Sequence, residues 1–259
     1  MSRRWPDHLW IVRHGQSAGN VARDMADAAG LPVIDIAERD MDVPLSELGA
    51  EQATALGAWF AAMKEGERPT VVLCSPYVRA VQTVELVRKA GGLGEGVSIV
   101  LDERLREREF GVLDRLTHAG IRQRFPEQSE ARTRLGKFYH RPPGGESWCD
   151  VILRLRSVLD TISLHHASRG SRVLIVAHQV VVLCLRYLIE EMTEAEILAV
   201  DKVDDVANCG VTEYTRGTAS HDGSEDNAEL SLVKYNFVAP LEREGTPVTT
   251  GPDVPAAPR

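Results

Sequence analysis

Four short apolar runs, each stopped by reactive or turn-forming residues, constrain the fold of this chain more than any other feature. Residues 9–12 (Leu-Trp-Ile-Val) stop at Arg13-His14-Gly15, and residues 70–74 stop at Ser75-Pro76, with Arg79 just beyond. Residues 97–101 lead to Glu103 and then to a charged stretch around Glu107, and residues 173–177 stop at His178-Gln179. Short apolar runs bounded by turn signals read as buried strands. Between them the spacing turns helical. Leu48, Gln52, Leu56 and Phe60 recur every four residues within 46–63, and Val151, Leu155, Val158, Leu159 and Ile162 share one stripe within 148–165. Strands alternating with helices predict an α/β fold, a three-layer αβα sandwich around a mainly parallel sheet.

Ligands of such sheets bind at the carboxyl ends of the strands. That rim would receive Arg13, His14, Arg79, a glutamate and His178. Two histidines and a carboxylate could form a metal triad. Two arginines in the same pocket oppose a dication and favour an oxyanion with several oxygens, because guanidinium forks match phosphate geometry. Their charge also disfavours protonation of an imidazole, which leaves a neutral histidine able to act as a nucleophile. Phosphoryl transfer through histidine is the better fit, and metal-assisted hydrolysis the weaker one.

Arg-His-Gly-Gln-Ser-Ala-Gly-Asn at 13–20 resembles the signature of the histidine phosphatase superfamily, also called phosphoglycerate mutase-like. Residues 75–83, the Leu-Arg-Glu-Arg-Glu-Phe-Gly run at 105–111 and Ala177-His178-Gln179 are similar to its later motifs, and Pro-Leu-Ser-Glu-Leu-Gly at 44–49 is also familiar. The motifs fall in family order over roughly residues 9–210. The resemblance implies that His14 forms a phosphohistidine and that Glu107 protonates the leaving group and then activates water. Arg13, Arg79 and His178 would hold the phosphoryl oxygens, with Ser17, Asn20 and Gln179 as further substrate-binding residues. It implies no metal and no cofactor. The expected activity is hydrolysis of a small phosphorylated metabolite. The alternatives are a cofactor-dependent phosphoglycerate mutase and, from another class, an inactive phospho-ligand binder. Arg132 and Arg134 are separated by Thr133, so the insert lacks the paired arginines of mutases. Gln179 stands where mutases have glycine, and it resembles the bisphosphatase pattern. No GxxxxGK[ST] phosphate loop occurs in the sequence.

A net charge of −8 argues against nucleic acid or an anionic membrane as partner, so local arginines must draw the substrate. Four scattered cysteines without a CxxC pair read as free thiols, and the apolar run before Arg13 is too short for a membrane span; both point to the cytoplasm. A homodimer is left open. We expect one domain over 1–241 with a lid-like insert at about 113–143, helical around 121–125. We further expect a mobile loop at about 216–228 preceding a late strand that pairs with 211–215, and a disordered tail over 242–259. Residues 142–147 read as a loop and helix start with Ser147 as its cap and Asp150 three residues on, 193–196 as a similar cap, His165 and His166 as surface residues, and Asn208-Cys209-Gly210 as a border of the pocket.

Overall fold

A computed structural model describes residues 3–217 and 229–251. Strands β1 (His8–Arg13), β2 (Val71–Cys74), β3 (Ser98–Leu101), β4 (Arg172–Ala177), β5 (Val211–Arg216) and β6 (Leu230–Phe237) form one sheet in the order β3-β2-β4-β1-β5-β6. The first four are parallel, β5 runs antiparallel to β1, and β6 runs antiparallel to β5.

The two-residue period of a strand sorts the apolar runs onto two faces. Leu9 and Ile11 of β1 pack with α6 (Trp148–His165) and α7 (Gln179–Ile189). Trp10 and Val12 pack with α2 (Glu47–Ala61) and α3 (Val78–Lys89). The helical stripe expected within 148–165 is the buried face of α6, and Ser147 caps that helix by accepting from Asp150 N. The run at 97–101 departs from expectation. Its core, β3, is the sheet's edge, paired on one side alone, and Val100 and Leu101 are 41% and 56% exposed.

β1 and β4 are adjacent, yet β1 leads by way of α2 to β2 on one side of the pair, while β4 leads by way of α7 to β5 on the other. Their crossovers leave the sheet in opposite directions, and a crevice opens at such a switch point. His14 and His178 follow these two strands directly.

The insert holds α4 (His118–Arg124) and α5 (Pro126–Tyr139), the latter covering the charged stretch that carried no expected element. Phe138 at its end packs against Trp148 and Tyr187, which ties α5 to α6 and α7. The remaining helices are α1 (Ala18–Ala28), α8 (Glu194–Val203) and α9 (Ala239–Arg243). The late strand is present as β6, and Gly217 N donates to Glu229 O where its hairpin with β5 closes. The rest of the expected mobile loop, 218–228, lies outside the described residues.

The tail departs most from its expectation of disorder. Residues 239–243 are helical, and the chain beyond them returns to the body. Gln52 Nε2 donates to Pro247 O and to Thr249 Oγ1, both at 2.9 Å, and Asn208 N donates to Thr249 O. The Gln52 side chain and the Asn208 backbone thus supply the anchors that the tail's composition could not. Residues 252–259 lie outside the described residues. All four cysteines are free. Among the described residues no helix is long and apolar enough to cross a membrane.

Candidate active site

The turn after β1 is fixed at nearly every backbone group. His14 N donates to Ala177 O of β4, Gly15 N to Thr83 Oγ1 at 3.1 Å, and Gln16 N to Gln52 Oε1 at 2.9 Å. Asn208 Nδ2 donates to the His14 carbonyl at 3.1 Å, and Cys209 N to that of Arg13 at 3.0 Å. The Asn208-Cys209-Gly210 segment thus braces the turn through its carbonyls, but none of the three residues lines the pocket, contrary to expectation. Gly15 crosses the first turn of α2 so closely that a Cβ on it would lie 2.4 Å from Gly49 O. That crossing is why Gly15 and Gly49 lack side chains.

His14 Nδ1 lies 2.7 Å from the Gly15 carbonyl oxygen. A carbonyl can only accept, so Nδ1 carries the hydrogen and Nε2 keeps its lone pair. Arg79 Nε donates to that Nε2 at 3.2 Å. Burial, with the charges of Arg79 and Arg13 added, holds the imidazole well below its usual 6.5. The result is a neutral, oriented imidazole whose free nitrogen sits among cations, as a nucleophile toward phosphorus requires.

Ser17 caps α1, and Asn20 Oδ1 accepts from Ser17 N and Oγ, which leaves the Asn20 amide nitrogen as a donor. The edge of the His178 ring meets the His14 ring at 5.0 Å between centroids. Its Nε2 lies 2.8 Å from Ser75 Oγ, and its buried Nδ1 is 3.9 Å from Glu107 Oε2. Burial, then Arg79, keeps His178 well below 6.5 as well. Arg13, His14, Ser17, Asn20, Arg79, Glu107 and Gln179 line one pocket, and the His178 ring meets His14 edge-on beside it. The structure thus brings together every residue singled out from the sequence. Gln179 Nε2 donates to Asp205 at 3.0 Å.

Glu107 sits on a loop held from beneath. Glu146 Oε1 accepts from Arg106 Nη2 and Arg154 Nε, and its Oε2 accepts from Glu109 N and Arg154 Nη2. Burial pushes the Glu146 carboxyl up, but the Arg154 bonds and charge outweigh that and leave it lowered. At the loop's end Gly111 has a φ of +55°, and a Cβ there would fall 2.1 Å from Pro143 O. Read from the sequence, Glu146 belonged to the loop before a helix cap; its role as a clamp needs Arg106 and Arg154, which only the fold brings to it.

The outer pocket was not legible in the sequence. Ile34, Ile36, Val43 and Phe110 form an apolar wall, and Arg23, Glu38, Asp40, Asp114 and Arg115 form a charged rim. Asp114 and Arg115 are all that the 113–143 insert contributes; α4 and α5, with Arg132 and Arg134, stand outside the lining.

Comparison with known proteins agrees with this geometry. The profile of the histidine phosphatase superfamily (branch 1) matches residues 9–222. The chain is 30% identical over 236 residues to a 6-phosphofructo-2-kinase/fructose-2,6-bisphosphatase of Caenorhabditis elegans, covering 88% of this chain but 45% of that protein. It therefore spans less than half the length of that relative. It is 31% identical over 189 residues to a 2,3-bisphosphoglycerate-dependent phosphoglycerate mutase of Methylobacterium radiotolerans, covering 73% and 82% of the two chains. Among solved structures, a mycobacterial glucosyl-3-phosphoglycerate phosphatase complexed with VO3 is similar, with a TM-score of 0.66 at 25% identity over 89% of this chain and 99% of that one.

Proposed function

The chain belongs to the histidine phosphatase superfamily, whose members akin to it are phosphatases and mutases, and from that premise we propose that it is a phosphohydrolase acting on a small phosphorylated metabolite. One observation carries the proposal: the Nδ1–H···O=C bond to Gly15 that leaves His14 Nε2 unprotonated, its lone pair turned to Arg79 Nε in the pocket.

In the first step the Nε2 lone pair attacks phosphorus, and the bond from phosphorus to the alcohol oxygen breaks. Glu107, in its acid form, gives that oxygen a proton. In the second step Glu107 takes a proton from water, and the water oxygen bonds to phosphorus. The P–N bond breaks, and its electron pair returns to Nε2. Arg13, Arg79 and Asn20 supply donors for the charge spread over the equatorial oxygens. With its hydrogen on Nδ1 and Nε2 accepting from Ser75, His178 is a further donor. Ser17 holds Asn20 in place, and Gln179 borders the substrate.

A mutase reading has the likeness to the Methylobacterium protein in its favour. Against it stands a pocket to which α4 and α5 contribute no arginine. The deciding experiment measures phosphate release from phosphorylated metabolites beside a mutase assay primed with 2,3-bisphosphoglycerate. Phosphate release that vanishes in His14→Ala is expected. Interconversion of 3- and 2-phosphoglycerate with little release would make the chain a mutase.

A further inference from the structure

Asp40 opens a short 3-10 turn (Asp40–Asp42) between α1 and α2, and no sequence motif drew attention to it. It lies on the residue that would grip phosphate. Its Oδ1 is 3.0 Å from Arg79 Nη1, its Oδ2 accepts from Nη2 at 3.3 Å, and its carbonyl accepts from Nη1 at 2.5 Å. With Nε given to His14, both terminal nitrogens of the Arg79 fork face Asp40, an internal anion. The two partners differ in freedom. The Arg79 side chain is 5% exposed, whereas that of Asp40 is 42% exposed and stands at the edge of water.

A phosphoryl dianion bound at His14 would displace the Asp40 carboxylate while Arg79 stays in place. The displaced carboxylate would remain on the pocket wall, beside the alcohol part of the substrate. There it joins Glu38 and Asp114. Arg115 offsets Asp114 in part, with its Nε 3.9 Å from Asp114 Oδ2 and its Nη atoms donating to the carbonyls of Ile36, Ala37 and Glu38; with Arg23 it makes two cations on a rim of three carboxylates. The crowding of negative charge also shows at Asp114, whose carboxyl is pushed up by burial first and by Asp40 next. The remaining wall, Ile34, Ile36, Val43 and Phe110, offers no charge.

We propose that Asp40 is a specificity-determining residue: it makes the pocket select phosphomonoesters of uncharged, hydroxyl-bearing alcohols and reject those whose alcohol part carries a carboxylate. Hydroxyl groups donate to the rim carboxylates, whereas a substrate carboxylate meets a rim on which Glu38, Asp40 and Asp114 outnumber Arg23 and Arg115. The inference rests on the phosphohydrolase reading for the placement of phosphate at His14, and it sets this pocket apart from one built for phosphoglycerate.

Glycerol 3-phosphate and 3-phosphoglycerate form a matched pair, differing in a CH2OH against a carboxylate. Their dissociation constants are measured by calorimetry on the full chain carrying His14→Ala, with and without Asp40→Asn, so that binding is read without turnover. Asp40→Ser serves as a second variant should the asparagine chain fail to fold. We expect glycerol 3-phosphate to bind at least tenfold tighter, and the Asp40 substitution to narrow that ratio at least fivefold, chiefly by tightening 3-phosphoglycerate. Equal affinities, or a ratio unmoved by the substitution, would overturn the assignment of Asp40. Phosphate release by the unsubstituted chain is recorded separately. Its failure would overturn hydrolysis while the binding ratio still decided the role of Asp40.

Discussion

At the scale of residues, the site depends on imidazoles kept neutral. Because burial and the arginines lower the His14 value below 6.5, the nucleophile stays unprotonated as pH falls through that point. The acid limb of kcat/KM is therefore expected below pH 6.5, and a limb centred there would show His14 titrating as it does in water. The same shifts bear on stability. His14, His178 and His140 are lowered by burial first, His140 to about 4, so the unfolded chain binds more protons than the folded one below pH 6.5. Stability is full above that pH and falls as pH drops through it, by up to about 1.4 kcal/mol per pH unit for each histidine. Urea midpoints at pH 7.5 and 5.5 measure the slope, and equal midpoints would count against it. Glu107→Gln separates acid catalysis from binding. Turnover of an alkyl phosphate is expected to fall about 10²–10⁴-fold, and that of p-nitrophenyl phosphate, whose leaving group needs no proton, much less. Equal losses would move the acid role to another residue.

At the scale of elements, each functional loop is held by an element distant in sequence. The Glu107 loop hangs on the Glu146 carboxylate and, through it, on Arg154 of α6. Glu146→Ala strands two arginines, one of them largely buried, and is expected to cost about 3 kcal/mol in denaturant unfolding and to lower kcat more than it raises KM. Unchanged kcat would mean the loop keeps its shape without the clamp. The strands and the main helices were legible because their residues repeat at the period of the element they form. α5 was not, since its charges hid a helix that docks by its end through Phe138. β3 read as buried because an apolar run carries no mark of lying at the edge of a sheet.

At the scale of the whole molecule, the C-terminal segment closes a circuit around the nucleophile. Gln52 joins Gln16 N to Pro247 and Thr249, and Asn208 joins the His14 carbonyl to Thr249. Gly251 comes to rest against Asn20 and Arg13. A chain ending at Thr246 is expected to fold, to lose about 2 kcal/mol from the missing hydrogen bonds, and to show reduced kcat/KM. Full activity after truncation would leave the segment as packing alone. The sequence by itself determined the αβα architecture and most of the candidate site, because strand and helix periods are local and because Arg13, His14, Arg79, Glu107 and His178 lie within a few residues of elements that can be recognised. Only the tertiary structure decided the rim, the Glu146 clamp and the course of the tail. Those depend on contacts between residues such as Asp40 and Arg79, or Gln52 and Thr249, that are far apart along the chain. A single acidic or amide side chain carries no local sign of which distant partner it will meet.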